Sequence, residues 1–360
     1  MATEYGAINL SQGFPDFRID DQLIALVHRF MKEGHNQYAP MPGVPALRQT
    51  LADVLEKTYG RPFNPETEIT ITAGATQALF SAIAAVVQPG DEVIVFDPSY
   101  DSYNPAIRLN GGIPVHIPLQ YPSFTINWDE VEHHLSPRTR LIMINTPHNP
   151  SGAVLKPHDL QQLERLVLTH NLLVLSDEVY ERIIFDGLRH ESVLHYPALA
   201  RHSIAVFSFG KTFHATGWKT GYAVAAPNLT NEIRKIHQFI TFSVNTPIQM
   251  ALAEYLKEPG HYLNLGHFYE QKRNYFVNGL KGSSWQPLPC HGSYFQTLSY
   301  AAFSNLNDQL MAEELTKKHK VAAIPVSVFY QNRTDNRLLR FCFAKDEQTL
   351  DKALRILKKF

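Results

Sequence analysis

Lys211 is the residue of this sequence that is best placed to do covalent chemistry. It follows the apolar, β-branched run 203–207, which is typical of a buried strand. Small and polar residues, Ser208, Gly210 and Thr212, surround it. A lysine in such a position loses water, and desolvation favours the neutral, nucleophilic amine. A neutral amine condenses with an aldehyde, whereas the usual lysine lies on a solvated surface.

A second group with chemical potential is a turn of small residues, 73–76, between the predicted strand 68–72 and the apolar helix 77–87. In this arrangement free N–H groups and the positive end of the helix point at an anion. The turn lacks the G-x-G-x-x-G spacing of a dinucleotide fold and the pattern of a P-loop, so neither nucleotide site is predicted.

These groups require a fold that brings strand ends together. Apolar strands alternate with helices over 68–208, which predicts right-handed βαβ units and a three-layer α/β/α fold with a mostly parallel sheet. Ligands of such sheets lie beyond the carboxyl ends of the strands. The residues expected at that edge each come at or after a strand end: Ala75, Thr76, Tyr100, Asn149, Asp177 and Lys211.

After Gly221 the pattern changes to helices, the last of them predicted over 262–280, and then to a mixture of strands and helices, which includes a strand predicted over 321–324. This mixture predicts a smaller α+β domain. We predict a large domain over 36–284 and a small domain built from 1–35 and 285–360. The helix predicted over 20–32 is amphipathic, and the residues expected on its buried face are Leu23, Ile24, Val27 and Phe30.

The composition disfavours several classes of partner. The 360 residues contain 33 Lys and Arg against 34 Asp and Glu, so bulk charge would not hold nucleic acid or a membrane surface. Two cysteines, Cys290 and Cys342, fit a reducing cytoplasm better than a disulfide framework. The 17 histidines show no H-E-x-x-H spacing, so no metal site is predicted. Neither a signal peptide nor a bilayer-spanning run is expected.

Over nearly its whole length the chain resembles the class I aminotransferases, which depend on pyridoxal phosphate (PLP) and have fold type I. The resemblance is carried by LSQGFPDF (10–17), NTPHNPSG (145–152), SDEVY (176–180), the lysine segment SFGKTF (208–213) and RFCFA (340–344), in this order. The sequence is most similar to the branch that holds the kynurenine aminotransferases and the bacterial methionine aminotransferases.

PLP makes separate demands on a protein, for its phosphate, pyridine nitrogen, phenolate oxygen, ring face and aldehyde. The resemblance implies that Lys211 bonds to the aldehyde and that Asp177 keeps the pyridine nitrogen protonated. Asn149 and Tyr180 are the candidates for the phenolate oxygen, and Tyr100 is the candidate for stacking on the ring. The candidates for the phosphate are Ala75, Thr76, Ser208, Lys219 and, reaching from the neighbouring subunit of a homodimer, Tyr38.

The same resemblance implies that Arg340 binds the α-carboxylate of an amino acid or a 2-oxo acid, helped by Gly13 and Asn149. Lys211, once free, would move the Cα proton, first as a base and then as an acid, which predicts ping-pong kinetics. No second arginine stands in a pocket-forming motif. The aromatic loop residues Phe14, Tyr38, Tyr100 and Phe242 therefore predict that methionine and aromatic amino acids are preferred over aspartate.

Two departures from the resemblance and three alternatives remain. Lys219 stands where most relatives carry arginine and lacks the bidentate fork of a guanidinium. The chain also begins close to the 13–17 loop, where relatives usually have a further N-terminal segment.

The alternatives are a C–S lyase of the same fold, a non-catalytic ligand sensor, and a nicotinamide dehydrogenase, which the missing glycine fingerprint disfavours. Singly, Ala75–Thr76 could be a helix cap, Ser208 a loop hydroxyl and Lys219 a surface lysine.

Overall fold

The computed structural model describes all 360 residues. Thirteen strands are present, which in chain order are β1 Ile8–Asn9, β2 Ile69–Thr72, β3 Glu92–Asp97, β4 Ile113–Pro118, β5 Thr139–Asn145, β6 Leu173–Asp177, β7 Ser203–Ser208, β8 Gly221–Ala225, β9 Gln286–Pro287, β10 Phe295–Ser299, β11 Val321–Ala322, β12 Ile324–Pro325 and β13 Leu338–Cys342.

The α-helices are α1 Ala2–Tyr5, α2 Asp21–Lys32, α3 Pro45–Tyr59, α4 Ala75–Val86, α5 Tyr103–Leu109, α6 Trp128–His133, α7 Pro157–His170, α8 Pro197–Ala200, α9 Phe209–Thr212, α10 Pro227–Ile240, α11 Thr246–Tyr255, α12 Gly260–Leu263, α13 Leu265–Gly279, α14 Asp308–Lys317 and α15 Glu347–Leu357. Short 3₁₀ helices lie at Val193–His195, Thr216–Trp218 and Val326–Phe329. None of the helices combines the length and the apolar character that crossing a bilayer requires.

The largest element is a seven-stranded sheet with the order β2-β8-β7-β6-β5-β3-β4. Five of its strands, β3 to β7, run parallel to their neighbours within the group. Alternate residues of β3 enter two separate cores, because side chains of a strand point to opposite faces. Val93 and Val95 pack with α4, α5 and α10, whereas Ile94 and Phe96 lie in the core that includes α7. The predicted α/β/α layers with a mostly parallel sheet are therefore confirmed.

Sequence analysis missed β8, which is antiparallel to both of its neighbours, β2 and β7. Its short run GYAVA directly follows the polar lysine segment and carries no alternation that would separate a strand from a loop. Gly221, its first residue, is required by close packing. A Cβ at this position would lie 2.5 Å from the carbonyl oxygen of Phe207 and 3.0 Å from the nitrogen of Ala75.

Three further expectations were wrong in detail. In α2 the buried residues include Leu26, whereas Ile24 is exposed, because the core lies on the stripe that starts at Leu23 and recurs at steps of three and four residues. The helix predicted over 262–280 is interrupted at Asn264. The strand predicted over 321–324 divides into β11, which pairs with β1, and β12, which pairs with β13.

A second, four-stranded antiparallel sheet has the order β12-β13-β10-β9. It packs with α13, α14 and α15 around a separate core of 28 residues, which includes Tyr269, Tyr294 and Phe341. The register of β10 and β13 pairs Thr297 with Arg340. This sheet therefore carries Arg340 towards the carboxyl edge of the large sheet, where β5, β6 and β7 end.

Candidate active site

A cavity of about 260 Å³ lies at the carboxyl edge of the large sheet. Most of the residues that the sequence singled out line it, although they come from separate segments of the chain: Gly13, Ala75, Thr76, Tyr100, Asn149, Asp177, Tyr180, Ser208, Lys211, Lys219 and Arg340. Three of the predicted residues, Phe14, Tyr38 and Phe242, are not on its wall.

Lys211 lies in α9, the single turn that follows β7. Its Nζ donates to the Tyr294 hydroxyl at 2.6 Å and to the Gly13 carbonyl oxygen at 3.2 Å. Desolvation lowers the pKa of the Lys211 amine to about 8, since removal from water penalises the charged form. The neutral, nucleophilic amine is therefore far more populated near neutral pH than it is for a surface lysine.

Asp177 is the last residue of β6 and is only 4% exposed. Its carboxylate accepts from the Tyr103 hydroxyl at 2.6 Å and from the Val179 N–H at 3.3 Å. Burial raises the pKa of Asp177 to about 6, although both of these donors act in the opposite direction. Burying a carboxylate without a paired cation is costly. The position thus fits a ligand that brings a positive charge of its own, such as a protonated ring nitrogen.

Arg340 is 7% exposed and has no carboxylate partner in the chain. Its Nη1 donates to Asn149 Oδ1 at 2.7 Å and its Nη2 to the Ser11 carbonyl oxygen at 3.0 Å. The guanidinium carbon lies 4.0 Å from the centre of the Phe295 ring. The buried Nε has no hydrogen-bond partner, and desolvation lowers the pKa of the group. A buried cation with a free donor fits the carboxylate of a ligand.

The part of the cavity wall at the N-terminus of α4 suits a phosphate. Ala75 and Thr76 form the first turn of the twelve-residue helix α4, which has no acidic residue there. A Cβ at Gly74 would lie 3.3 Å from Cε and 3.4 Å from Nζ of Lys219, so the lysine ammonium lies beside the N-terminus of this helix. Ser208, the last residue of β7, adds a hydroxyl to the same wall. Helix N–H groups and a fixed cation together bind anions.

Asn149, Tyr180 and Tyr100 also line the cavity. The backbone N–H of Asn149 donates to Asn145 Oδ1 at 2.8 Å, which holds the loop after β5 in place. Tyr180 is buried against Tyr294 with ring centres 5.0 Å apart, and burial raises the pKa of its phenol. Tyr100 is partly buried, and desolvation raises its pKa as well. One amide and two phenols therefore add neutral donors to a wall that also carries Asp177 and Arg340.

The three residues that lie off the cavity wall have other surroundings. Tyr38 is 82% exposed, and its ring meets that of Phe242, which is itself exposed, edge-on at 5.4 Å. Phe14 is 41% exposed, and its carbonyl oxygen accepts from Lys345 Nζ at 2.8 Å. Within one chain, none of the rings of Phe14, Tyr38 and Phe242 therefore helps to enclose a ligand.

Sequence reasoning did not single out Tyr103, Asn145 or Tyr294, which contact the predicted residues directly. Asn145 ends β5, and its amide also donates to the Asp177 carbonyl oxygen at 2.9 Å. Its place at a strand end, at the start of NTPHNPSG, was a usable signal. Tyr103 and Tyr294 carried no such signal, because both are buried aromatic residues in apolar surroundings.

Comparison of the sequence with known proteins agrees with the chemistry that the geometry of the site indicates. The family described as aminotransferase class I and II matches residues 5–357. The chain belongs to this family. The methionine aminotransferase of Escherichia coli (strain K12) is 51% identical to it over 360 residues, which is 100% of this chain and 93% of that protein.

Two further relatives support the assignment. The kynurenine–oxoglutarate transaminase of Dictyostelium discoideum is 34% identical, over 98% of this chain and 90% of that protein. A crystal structure from Escherichia coli, described as identifying a methionine aminotransferase function, has a TM-score of 0.98 at 50% identity and covers 100% of this chain and 95% of that one. The resemblance seen in the sequence is confirmed, and the aminotransferase is an enzyme of a PLP-dependent family.

Proposed function

We propose that this aminotransferase moves the amino group of methionine or an aromatic amino acid to a 2-oxo acid, with PLP bound at Lys211. The observation that carries the proposal is the desolvated Lys211 amine between two buried, unpaired charges, the Asp177 carboxylate and the Arg340 guanidinium. A relative that is 51% identical over the whole chain and is named as a methionine aminotransferase supports the choice of donor.

When bound, PLP supplies an aldehyde that accepts the amino group and a protonated ring that withdraws electrons from the substrate Cα. In the proposed site Lys211 would hold the aldehyde, and Asp177 would pair with the ring nitrogen. Asn149 and Tyr180 would donate to the phenolate oxygen, and Tyr100 would contact the ring. The lining residues assigned to the phosphate are Ala75, Thr76, Ser208 and Lys219.

Lys211 Nζ is proposed to take the proton from the substrate Cα as a base and would then deliver it, as an acid, to the cofactor carbon. A general base works best when its pKa lies near the working pH, and a pKa of about 8 meets that condition. Arg340 is proposed to bind the α-carboxylate, with Asn149 Oδ1 and the Ser11 carbonyl holding the guanidinium in one orientation. Fixed donors place the Cα–H within reach of Lys211 and lower the entropy cost of the step.

The cations of the cavity support a substrate with a single carboxylate. Only Lys211, Lys219 and Arg340 contribute positive charge to its wall, and each already has a proposed role. The distal carboxylate of aspartate would then be buried without a partner, which costs several kcal/mol. A thioether or an aromatic ring instead gains from contact with the aromatic residues of the wall, Tyr100, Tyr180 and Phe295. Of the four aromatic loop residues that the sequence assigned to the substrate side chain, only Tyr100 lines the cavity, whereas Phe14, Tyr38 and Phe242 do not.

We further propose a homodimer in which Tyr38 reaches the phosphate of the neighbouring active site. The exposed Tyr38–Phe242 pair supports this assignment, because it is a large aromatic surface that has no cover within one chain. Sedimentation of the purified protein should give a dimer, and Tyr38→Phe should weaken PLP binding by the loss of one hydroxyl. A monomer that binds PLP normally would remove Tyr38 from this role.

The domain division of 36–284 against 1–35 with 285–360 is also proposed, as is a cytoplasmic location. The separate core of the small sheet supports the division, although elements of each range enter the core of the other. Leu23, Val27 and Phe30 of α2 join a core of the larger part, and Tyr269 and Phe276 of α13 join the core of the smaller part. The cytoplasm is supported by Cys290 and Cys342, which are both buried and unpaired.

Cofactor attachment tests the central assignment. The purified protein should be yellow, and borohydride should fix the cofactor to the peptide that contains Lys211. Lys211→Ala should bind PLP without a covalent bond and lose turnover by about two to four orders of magnitude. Lys272→Ala is a matched control, because Lys272 is also a lysine of lowered pKa but lies outside the cavity. A label on another lysine would overturn the proposal.

Substrate preference is tested by kcat/KM for methionine, phenylalanine, kynurenine and aspartate with a common 2-oxo acid acceptor. Methionine should be used best and the aromatic donors next, with aspartate well behind. A preference for aspartate would show that a further cation reaches the pocket. Release of pyruvate and ammonia, in place of a 2-oxo acid product from transamination, would favour the C–S lyase alternative.

A further inference from the structure

The Lys211 ammonium takes part in a closed triangle of hydrogen bonds with the Tyr294 hydroxyl, which has no role so far, and the Gly13 carbonyl oxygen. Its Nζ lies 2.6 Å from the Tyr294 hydroxyl and 3.2 Å from the Gly13 carbonyl oxygen, and the Tyr294 hydroxyl lies 2.6 Å from the same carbonyl. A phenol has a single hydrogen and can also accept. Tyr294 therefore donates to Gly13 and accepts from Lys211.

Packing holds both acceptors of this triangle in place. Tyr294 is fully buried, and its ring contacts those of Tyr180 and Phe295, with centres 5.0 Å and 4.9 Å away. Gly13 lies directly on Phe295, because a Cβ there would come within 2.5 Å of Cζ of that ring. The hydroxyl and the carbonyl thus form a rigid pair, whereas Lys211 reaches them on a flexible four-carbon stem.

We propose that Tyr294 is a positioning residue, whose hydroxyl holds the free Lys211 amine in place while that amine is not bonded to the cofactor. The inference rests on the proposed role of Lys211 as the lysine that carries the cofactor and moves the Cα proton. An amine that moves a proton between two fixed atoms must return to one position on every turnover. A small displacement of a catalytic group is enough to slow such a step.

The charges around Lys211 show why a neutral acceptor matters. The groups that influence its amine are the Asp177 carboxylate, the Cys342 thiol and the cations Arg340 and Lys219. Burial raises the pKa of Cys342, so this thiol stays protonated near neutral pH. Asp177 is the one carboxylate among these groups, and two cations oppose it. Tyr294 and the Gly13 carbonyl therefore supply the direct hydrogen bonds that stabilise the ammonium in a site short of water.

Removal of the Tyr294 hydroxyl should have two effects with opposite implications. The ammonium loses an acceptor, so the proton affinity of Lys211 falls and more of the amine becomes neutral. A larger neutral fraction alone would make Lys211 more available as a base. The proposal nevertheless predicts a slower reaction, because the amine is no longer held in one place. This combination separates positioning from a simple change in basicity.

The test compares Tyr294→Phe with Tyr269→Phe. Both substitutions remove one hydroxyl and keep the ring, and both tyrosines are fully buried in the same aromatic cluster, with ring centres 5.8 Å apart. They differ in the contacts of the hydroxyl, since the Tyr269 hydroxyl has no hydrogen-bond partner. Effects of general packing should appear in both variants, whereas an effect on the lysine should appear only in Tyr294→Phe.

The first readout is the pKa of Lys211, measured by competitive acylation with acetic anhydride and mass spectrometry. The full chain is reconstituted with pyridoxamine phosphate, whose amine cannot bond to Lys211. Tyr294→Phe should lower this pKa by about one unit, a roughly tenfold loss of proton affinity. The second readout is the single-turnover rate with methionine, which should fall about tenfold while the half-saturating methionine concentration changes less than twofold. Tyr269→Phe should match the wild type in both.

An unchanged Lys211 pKa in Tyr294→Phe, or an equal loss of rate in the two variants, would overturn the inference. A failure of the proposed function looks different, because it would appear as normal turnover in Lys211→Ala or as a borohydride label on another lysine. The acylation readout does not depend on turnover, so the two outcomes are distinguished in the same set of proteins.

Discussion

The two buried charges of the cavity differ in how the chain holds them. Asp177 is part of the large sheet, and its donors Tyr103 and Val179 belong to segments that leave that sheet. Arg340 belongs to the small sheet, but its acceptors, Asn149 and Ser11, come from the end of β5 and from the N-terminal loop. One charge is therefore held within a single layer, and the other bridges separate parts of the molecule.

This difference matches what each charge would have to do in a transaminase. Asp177 accepts direct hydrogen bonds from Tyr103 at 2.6 Å and from Val179 at 3.3 Å, and it would face a group that stays bound through many turnovers. Arg340 keeps a buried Nε without a partner, which leaves a donor for a carboxylate that enters and leaves each time. The preformed contacts of Asp177 suit a cofactor that stays bound. The geometry around Arg340 instead depends on how the two sheets pack against each other.

The largest expected effect is on the Asp177 side. Asp177→Ala should lower the transamination rate by about two or more orders of magnitude, because a charge held in a dry site stabilises the transition state strongly. Single-turnover absorbance with methionine measures this directly. The substitution should leave half-saturation by methionine nearly unchanged if the two sides are as separate as their contacts indicate. Near-normal turnover would exclude Asp177 from its proposed role.

The cofactor-free protein should show the cost of that buried charge. The pKa of Asp177 rises from an ordinary 3.8 to about 6 in the fold, so its contribution to stability is fully present below pH 3.8 and is lost as the pH rises through 6. Two pKa units correspond to about 3 kcal/mol. Asp177→Asn should therefore have a higher free energy of unfolding than the wild type at pH 8, by up to about this amount, but not at pH 4. Urea unfolding at both pH values checks the sign, and equal differences at the two would contradict it.

Substitution of Arg340 should cause a smaller loss of activity, and this loss should come mainly from weaker substrate binding. Arg340→Lys keeps a positive charge but loses the planar fork that contacts Asn149 and Ser11 together. We expect kcat/KM for methionine to fall about thirtyfold, mainly through KM, with the affinity for PLP unchanged. Arg333→Lys, at an exposed arginine that precedes β13, serves as the control. A matching loss of PLP affinity in Arg340→Lys would show that Arg340 does not act on the substrate alone.

The smallest effect concerns the donor that accompanies Asp177. The Tyr103 hydroxyl lowers the pKa of this carboxylate, so Tyr103→Phe should raise it further. Protonation removes the charge as the pH falls, and PLP affinity should therefore begin to decline at a higher pH in the variant than in the wild type. Near neutral pH the affinity should fall only about threefold, in line with one hydrogen bond. Fluorescence titration with PLP between pH 5 and pH 8 measures how far the pH dependence of PLP affinity is shifted. The same pH dependence in the variant and the wild type would contradict the prediction.

Local pattern was enough to predict most of the large sheet. Lys211, Asp177 and Asn149 each stand at or just after an apolar run, and in a parallel sheet the carboxyl ends of such runs meet at one edge. Their gathering around one cavity followed from that rule without any knowledge of distances. The interruption at Asn264 and the position of β8 could not be predicted in this way, because packing against neighbouring elements decides them.

The sequence by itself determined the family, the layers of the large sheet and the residue types at its edge, because each of these depends on residues that are close together in the sequence. Tertiary structure alone decided which of them touch. Arg340 meets Asn149 across 191 residues of chain, and Tyr294 meets Gly13 across 281. No periodicity links segments so far apart. Their contacts depend on how two sheets with separate cores pack together, and that packing leaves one carboxylate, one guanidinium and two lysine amines around a single cavity.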